Sequence, residues 1–253
     1  MTTSSTIESK GSTTQMQGKK SLKIKIYADG ANLDEMVAAY KNGLVDGFTT
    51  NPTLMRKAGV TEYEKFAKEV LSQIKDVSIS FEVFSDEFPE MERQARKIHS
   101  WAKNVHVKIP VINTQGTFTG PLIQKLAKEG IPMNITAILT LEQVKKVSQV
   151  LEPNVSSIVS VFAGRIADTG VDPVPMMKES AQILKALPKS ELLWASSREF
   201  INVIQAQECG CHIITVTPDI IKKLGNMGKD LYDVSLETVK IFYDDGQKAG
   251  FKL

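Results

Sequence analysis

Short runs rich in β-branched and aromatic residues alternate with longer amphipathic stretches from residue 21 to the C-terminus. The short runs carry apolar side chains at every second position or almost continuously, which is typical of strands. The longer stretches carry them at helical spacing and often end at glycine. The pattern predicts eight strands, at residues 22–30, 44–50, 77–84, 104–111, 131–139, 155–164, 190–197 and 211–217.

A helix is predicted after each strand, and a long amphipathic segment ends the chain. The predicted helices span residues 32–43, 61–75, 88–103, 119–130, 140–151, 172–187, 198–210 and 219–226, followed by 231–250. Eight strand–helix units in about 230 residues are typical of a (β/α)8 TIM barrel. A doubly wound open sheet is the alternative, but it would rarely need eight units, and no Gly-x-Gly-x-x-Gly follows the first strand. The sequence therefore predicts one α/β domain over residues 22–253, a (β/α)8 barrel with an additional C-terminal helix.

The first 21 residues differ in composition from the rest of the chain. Residues 1–20 contain nine Ser or Thr and no aromatic residue, and they lack the apolar region of a secretory signal. We expect residues 1–21 to form a disordered tail. A transit peptide is the alternative, although the segment has no arginine and carries Glu8.

Composition also argues against several classes of partner. The net charge is +2 and the basic residues form no dense cluster, so we expect no nucleic-acid partner. No apolar run approaches the ~20 residues of a membrane span, so we expect no membrane partner. The only cysteines, Cys209 and Cys211, lie beside His212 and are too few for a closed zinc site. We expect no metal and a reducing, cytoplasmic compartment.

The fourth predicted strand, "NVHVKIPV", places a lysine among apolar residues. Val105, Val107 and Ile109 alternate along it and define an apolar face. His106 and Lys108 must lie on the opposite face. If that face were solvent, Lys108 would be an ordinary surface cation. If it were the inside of a closed barrel, Lys108 would be a desolvated amine able to attack a carbonyl.

The other strands favour the second interpretation. In a barrel one side of each strand meets the helices and the other lines the interior. Several of the interior side chains are polar and lie towards the C-terminal strand ends, where barrel active sites are built. By alternation, the residues predicted to face the interior are Lys25, Tyr27, Asp29, Ser80, Glu82, Phe84, His106, Lys108, Asn134 and Thr136.

An interior lysine beside two carboxylates is suited to Schiff-base chemistry. The neutral amine adds to a ketone, and a carboxylate or its water moves the protons needed to lose hydroxide. The protonated imine then accepts electrons when the neighbouring carbon–carbon bond breaks. Asp29 and Glu82 are the candidates for proton transfer, although either could be only a salt-bridge partner of Lys108.

Two arginines follow the sixth and seventh predicted strands. Arg165 lies in "SVFAGRI" and Arg198 in "WASSREF". Loops after late barrel strands commonly bind phosphate, and paired guanidinium groups match its geometry. Ser196 and Ser197 can add hydroxyl or backbone N–H donors. The alternative is that both arginines form surface ion pairs.

With these motifs, the chain resembles the transaldolase family from about Ile24 to the C-terminus. "FTTNPTLM" resembles the family's Thr-Thr-Asn-Pro-Ser/Thr-Leu motif, and "VHVKIPV" resembles its lysine motif. "MNITAIL", "SVFAGRI" and "WASSREF" resemble three further segments in the family's order. The chain lacks the insertions of the longer transaldolases, so it is similar to the compact subgroup that also contains fructose 6-phosphate aldolases.

The resemblance implies a role for each matching residue. Lys108 would form the Schiff base, and Asp29 would be the acid–base group that assists cleavage of the sugar. Glu82 and Thr136 would hold and activate the water used in proton transfer. The implied contacts to the dihydroxyacetone portion come from Asn51, Asn134 and Ser160, and those to the phosphate from Arg165, Ser196 and Arg198.

The chain also departs from the family pattern. Val161 stands where the motif has proline and Ala163 where it has valine, and "AILT" lacks the usual aromatic residue after Thr136. The fructose 6-phosphate aldolases that it resembles carry tyrosine in place of Phe162 and glutamine in place of Glu82. Phe162 is expected to line the substrate site, and both positions match the transferases.

The expected function is therefore a transaldolase of the pentose phosphate pathway that acts on sugar phosphates. No metal or organic cofactor is required, because the lysine itself supplies the electron sink. One alternative is an aldolase that releases free dihydroxyacetone. The other is a non-catalytic sugar-phosphate-binding barrel, which would not need Lys108, Asp29 and Glu82 together.

The C-terminal segment has apolar residues at roughly helical spacing, among them Leu231, Val239 and Phe242. Its simplest role is packing on its own barrel. In the compact subgroup such a helix often packs on a neighbouring chain within a ring. The resemblance therefore implies a homo-oligomer of five or ten chains.

Overall fold

Eight parallel strands close into a barrel in the computed structural model, which describes residues 14–253. Each strand pairs with the next along the chain, and β8 pairs with β1. This arrangement confirms the predicted (β/α)8 TIM barrel. The strands are β1 (Lys25–Asp29), β2 (Gly47–Thr49), β3 (Ser78–Glu82), β4 (Val105–Pro110), β5 (Met133–Ile138), β6 (Ser157–Val161), β7 (Ser190–Trp194) and β8 (Ile213–Val216).

Helices surround the barrel and extend the chain beyond it. They are α1 (residues 14–20), α2 (Leu33–Lys41), α3 (Pro52–Lys57), α4 (Tyr63–Gln73), α5 (Phe88–His99), α6 (Gly120–Lys128), α7 (Leu141–Ser148), α8 (Ala163–Ala167), α9 (Val174–Leu184), α10 (Ile201–Glu208), α11 (Pro218–Lys222) and α12 (Leu231–Ala249). A 3₁₀ turn at Lys223–Asn226 separates the last two. Within residues 14–253, no helix is both long and apolar enough to cross a membrane.

Polar side chains fix where several helices begin. Asn32 accepts from the backbone N–H of Glu35 at the start of α2. Thr140 and Gln143 form a reciprocal capping box at the start of α7. These contacts satisfy N–H groups that have no partner within the helix, so α2 and α7 each start at a defined residue.

The two faces of the strands form two separate apolar layers. Ile26, Phe48 and Val107 point towards the helices and are at most 1% exposed. A smaller cluster fills the barrel interior and includes Tyr27 and Leu193. The interior direction predicted for Tyr27 is therefore confirmed, and the period-two alternation separates the two layers as expected.

The structure differs from the sequence prediction in four elements. Residues 1–13 of the predicted tail lie outside the described residues, but residues 14–20 are helical rather than disordered. This helix is anchored to the barrel, since Lys19 forms an ion pair with Asp46 at 2.9 Å. The predictions also missed α3 and extended the sixth strand to residue 164, into the start of α8, because six- and five-residue helices show too little periodicity.

Phe84 was predicted to face the interior, and this prediction is wrong. Its side chain is 62% exposed and stacks edge-on against the Tyr63 ring, with 5.3 Å between centroids. β3 ends at Glu82, and the backbone N–H of Phe84 donates to the side-chain oxygen of Gln94 instead of a neighbouring strand. The chain therefore turns away from the sheet before alternation can place Phe84 inside.

No residue of α12 is buried in this chain. The helix starts at the Asp230 cap and ends at Gly250, which adopts a left-handed conformation with φ of 67°. Leu231 is 82% exposed and Phe242 70% exposed. The simpler role expected for this segment, packing on its own barrel, is therefore not observed. Its association with neighbouring copies stays a prediction.

Gly164 allows the start of α8 to pack directly against the loop after β7. Its N–H donates to the carbonyl of Ala195 at 3.3 Å. A Cβ at this position would overlap the backbone carbonyl of Ser196. Only glycine permits this close approach, which brings residue 165 beside residues 196–198.

We expect Gly164→Ala to lower the free energy of unfolding by about 1–3 kcal/mol, because the added methyl meets backbone rather than a movable side chain. The matched control is Gly246→Ala in α12, where a Cβ would meet nothing within 4 Å. That change should be neutral or stabilise by about 0.5–1 kcal/mol. Urea unfolding of the two variants measures the difference, and equal effects would show that the close approach carries no strain.

Candidate active site

A small cavity opens at the C-terminal ends of the barrel strands. Its volume is about 100 Å³, which is room for a few water molecules or a three-carbon fragment. The rest of a longer ligand would have to lie at the mouth. The cavity is lined by Asp29, Thr49, Asn51, Lys108, Thr136, Ser160, Phe162, Arg165, Leu193, Ala195, Ser196 and Thr215.

Strand register brings the polar residues of this region together. Glu82 of β3 pairs with Lys108 of β4, and Lys108 pairs with Asn134 of β5. On the other side, Asp29 of β1 pairs with Thr49 of β2. Residues paired across neighbouring strands lie side by side on one face of the sheet. All five side chains point into the barrel, so they form one polar layer near the C-terminal ends of the strands.

Lys108 is buried, with 5% of its surface exposed. Its Nζ donates to the backbone carbonyl of Thr50 at 3.0 Å. The carboxylate of Glu82 lies 3.2 Å from the same nitrogen. One contact from the turn after β2 and one from β3 thus hold the amine at the floor of the cavity, where it can attack a bound carbonyl carbon.

Glu82 reaches Lys108 without lining the cavity itself. Its side chain is 15% exposed, and it also borders a neighbouring surface depression that includes Phe84 and Ile112. The Tyr63 hydroxyl donates to the backbone carbonyl of Glu82 at 2.8 Å and fixes the end of β3. The carboxylate therefore stands between the buried amine and the protein surface, as a proton carrier would require.

Asp29 is a second carboxylate in the same layer. Burial raises its pKa above the usual aspartate value, while the charge of Lys108 and a hydrogen bond from Thr49 act in the opposite direction. The Thr49 hydroxyl lies 2.8 Å from Asp29 Oδ1 and 2.6 Å from the Thr215 hydroxyl. Asp29 can therefore hold a proton at a higher pH than a solvated aspartate.

Thr136 lies at an irregularity in β5. The register with β6 shifts between Ile135 and Ile138, and Ala137 adopts φ of 60°. Such a bulge redirects the neighbouring side chain. The Thr136 hydroxyl is buried and has no hydrogen-bond partner among residues 14–253. Since buried hydroxyls usually have a partner, this one is suited to a ligand or a water molecule in the cavity.

The three residues predicted to contact the dihydroxyacetone portion differ in whether a ligand in the cavity can reach them. Asn134 is fully buried; its amide donates to Ser80 and its oxygen accepts from Ser160. It does not line the cavity, whereas Ser160 does. The Asn51 side-chain oxygen caps α3 by accepting from Leu54 N–H at 2.9 Å, which leaves its NH₂ group for a ligand.

Phe162 and Arg165 form the mouth of the cavity. The Arg165 guanidinium carbon lies 5.4 Å from the centre of the Phe162 ring, within cation–π range. Arg165 forms no ion pair within the part of the chain that the structure describes. Its positive charge is therefore available to an anionic group of a ligand.

Ser196 and Arg198 lie on the loop after β7. Ser196 lines the cavity and adopts a left-handed backbone conformation with φ of 64°. Arg198 does not line it: the guanidinium is paired with Asp168, at 2.9 Å from Nε and 2.5 Å from Nη2. In this structure Arg198 therefore has the ion pair that was the alternative to a phosphate contact.

The inward residues at the opposite end of the barrel do not join this site. His106 is hydrogen-bonded to the hydroxyls of Ser78 and Ser156, at 2.8 and 3.0 Å, and burial lowers its pKa to about 4. Lys25 is half exposed and paired with Glu191 at 2.7 Å. Among residues 14–253, no group of three or more His, Cys, Asp or Glu side chains could hold a metal ion.

Four groups of the site were missed in the sequence. Thr49 and Thr215 have interior parity in β2 and β8, so alternation could have found them. Asp168 follows Arg165 by one helical turn, a spacing that signals contact. The carbonyl of Thr50, in contrast, gives no signal, because every residue has one.

The sequence comparisons agree with these features. The model of the family described as "Transaldolase/Fructose-6-phosphate aldolase" matches residues 26–252. A "Probable transaldolase" of Thermoanaerobacter sp. (strain X514) is 33% identical over 231 residues, covering 91% of this chain and 100% of the relative. A "Probable transaldolase" of Caldicellulosiruptor saccharolyticus is 34% identical over 228 residues, covering 89% and 98%.

The solved structures below resemble this chain in fold. A flavocytochrome b2 mutant superposes with a TM-score of 0.53 at 13% identity, covering 82% of this chain and 59% of that chain. A mandelate oxidase mutant gives a TM-score of 0.53 at 15% identity, covering 78% and 63%. At such identities only the barrel architecture is shared. The family assignment depends instead on the match over residues 26–252 and on relatives above 30% identity. The chain belongs to the transaldolase/fructose-6-phosphate aldolase family.

Proposed function

We propose that the protein is a transaldolase that carries a dihydroxyacetone unit as an imine of Lys108. The observation that supports this most directly is the buried Lys108 amine, held between the Thr50 carbonyl and the Glu82 carboxylate beside Asp29. We propose sedoheptulose 7-phosphate or fructose 6-phosphate as the donor and an aldose phosphate such as erythrose 4-phosphate as the acceptor. This is the transaldolase step of the pentose phosphate pathway.

In the proposed reaction, the neutral amine of Lys108 attacks the ketone carbon of the donor. Before this attack Glu82 takes a proton from Lys108, and it then gives this proton to the resulting alcohol, which leaves as water while the nitrogen becomes an iminium ion. Asp29 then takes the proton of the donor hydroxyl next to the bond that breaks. The electrons of that bond move onto the imine, which leaves an enamine and releases an aldose phosphate.

The second half of the reaction reverses these steps on a new aldehyde. The enamine carbon attacks the acceptor carbonyl, and Asp29 returns its proton to the new hydroxyl. Water then hydrolyses the imine, with Glu82 as the base and the unpaired hydroxyl of Thr136 as a partner for that water. No electron acceptor from outside is needed, because the iminium nitrogen receives and returns the electron pair.

The size and charge of the cavity support a phosphorylated substrate. About 100 Å³ holds the three-carbon unit, so the distal end must project towards Arg165 and Ser196 at the mouth. The Arg165 guanidinium, which forms no ion pair with residues 14–253, is suited to a terminal phosphate. We propose that Arg165 makes the main phosphate contact.

A lyase that releases free dihydroxyacetone is the second candidate, and the family description includes it. The two reactions share the enamine and differ in its fate. A lyase must protonate the enamine, whereas a transferase must keep it until an acceptor arrives. Phe162 lines the cavity and has no proton to give, which favours the transferase.

We expect borohydride, added during turnover of fructose 6-phosphate, to fix a three-carbon adduct on Lys108, because hydride reduces the iminium ion. Peptide mass spectrometry locates the adduct. Lys108→Met should abolish both the adduct and turnover. Lys25→Met is the matched control, since Lys25 lies at the other end of the barrel on Glu191, and it should keep both. An adduct on a different lysine would contradict the mechanism.

On the acid side of the pH profile of kcat/KM, we expect an apparent pKa above the usual range for aspartate. Burial raises the pKa of Asp29, and this base must be ionised to act. Activity should fall as the pH decreases through this raised pKa. Asp29→Asn should lose carbon–carbon cleavage but still form an imine with dihydroxyacetone. A pH–rate profile with an unshifted acid limb would argue against this role.

The same pKa shift has an effect on stability that can be measured separately. The folded state holds the Asp29 proton more tightly than the unfolded chain, so ionisation of Asp29 destabilises the fold as the pH rises through its folded pKa. Asp29→Asn should therefore raise the melting temperature at neutral pH. The gain should disappear towards the ordinary aspartate pKa of about 3.9.

We expect fructose 6-phosphate alone to release dihydroxyacetone slowly and erythrose 4-phosphate to accelerate its consumption by about tenfold or more. Phe162→Tyr should raise the acceptor-independent release, since a phenol at this position can protonate the enamine. Phe162→Leu controls for loss of the ring and should give no such increase. Coupled assays with and without acceptor measure both rates, and rapid release by the unaltered enzyme would assign it as a lyase.

A further inference from the structure

Asp168 interacts with two arginines, Arg165 at the mouth of the cavity and Arg198 outside its lining. It is the C-cap of α8 and follows Arg165 by three residues, so the two side chains share one face of that turn. Arg198, from the loop after β7, donates to both carboxylate oxygens of Asp168. Both positive charges lower the pKa of Asp168, with the Arg198 hydrogen bonds as the larger cause. One carboxylate thus faces both cations.

The Arg198 contact uses the part of the guanidinium that would bind a phosphate. Nε and Nη2 form a fork, and the two oxygens of Asp168 meet it at 2.9 and 2.5 Å. Two oxygens of a phosphate would use the same two donors. A carboxylate and a phosphate cannot occupy the fork together, so Asp168 is an internal competitor for this arginine.

Arg165 differs from Arg198 in this respect. Its guanidinium lines the cavity, lies over Phe162, and has no ion pair with any residue from 14 to 253. Arg198 is outside the lining and is paired. Of the two arginines, Arg165 is therefore available at the mouth of the cavity, whereas Arg198 must first be released from Asp168.

We propose that Asp168 sets the preference of the site for phosphorylated substrates by competing with the substrate phosphate for Arg198. This inference depends on the proposed function for its substrate class. When a phosphate arrives, Arg198 exchanges the carboxylate for the phosphate. Asp168 is then a specificity-determining residue that acts through Arg198 and does not touch the reacting carbons.

The exposure of the pair supports an exchangeable contact. The side chains of Arg198 and Asp168 are 46% and 50% exposed. Exposed ion pairs contribute little and are screened by salt, so a doubly charged phosphate that also contacts Arg165 can replace this one. A carboxylate that remained beside the bound phosphate would also repel it.

An opposite role for Asp168 predicts the opposite result. If the carboxylate held Arg198 in position to bind phosphate, then its removal would weaken phosphate binding. If it competes, then removal strengthens binding. The sign of one measurement separates the two roles.

The experiment measures binding of inorganic phosphate by calorimetry and KM for fructose 6-phosphate and for unphosphorylated fructose. Asp168→Asn should tighten phosphate and lower KM for fructose 6-phosphate by about two- to fivefold, on the scale of an exposed ion pair. KM for fructose and kcat should stay unchanged. Asp168→Glu retains the charge and should behave like the unaltered protein.

Two controls isolate the contact. Glu199→Gln makes the same change of net charge as Asp168→Asn, at an exposed residue next to Arg198 in the chain, and should leave phosphate binding unchanged. In an Arg198→Ala background, Asp168→Asn should give less than half of the increase in phosphate affinity that it gives alone, because the arginine for which Asp168 competes is absent. A full gain in that background would show a general charge effect and overturn the proposal.

The outcomes also separate this inference from the proposed function. If sugars are turned over but Asp168→Asn weakens phosphate binding or leaves it unaltered, the competition is wrong and the transaldolase assignment stands. If no sugar is turned over but inorganic phosphate binds more tightly to Asp168→Asn, the function is wrong and the competition stands.

Discussion

The site depends on a charge pair placed where water is scarce: the Lys108 amine and the Glu82 carboxylate, 3.2 Å apart and largely buried. Burial of one charge alone is costly, because neither the barrel wall nor bulk water would compensate it. The pairing of β3 with β4 provides the partner, and the end of β2 provides a carbonyl. The backbone around three consecutive strands, β2, β3 and β4, therefore determines where this one nitrogen atom lies.

The side chains that point into the barrel differ in kind between its two ends. At the N-terminal end, His106 is hydrogen-bonded to two serines and Tyr27 fills the interior; both remain neutral at physiological pH and lie near the Lys25–Glu191 ion pair. At the C-terminal end, Lys108, Asp29 and Thr136 surround a cavity. The groups that can bind a ligand thus lie at the open end, where a ligand can reach them.

Alternation and strand–helix order were enough to predict the barrel, the interior lysine and both carboxylates, because each depends only on spacing along one strand. The predictions failed where contacts between distant segments decide the outcome. Phe84 leaves the sheet because Gln94, ten residues later in the chain, takes its N–H. Residues 14–20 have a polar composition but pack on the barrel through pairs such as Lys19 with Asp46. No local pattern in the sequence contains these partners.

The acceptor that holds Lys108 belongs to the main chain, at the carbonyl of Thr50. The same oxygen is present whatever the amino acid at position 50, so a substitution there acts on the anchor only through the backbone, which the buried Thr50 hydroxyl ties to the Ser80 carbonyl. The position of this carbonyl depends on the path of the backbone between β2 and α3. A transplanted lysine with its two carboxylates would therefore lack part of the original environment unless the recipient scaffold also reproduced that turn.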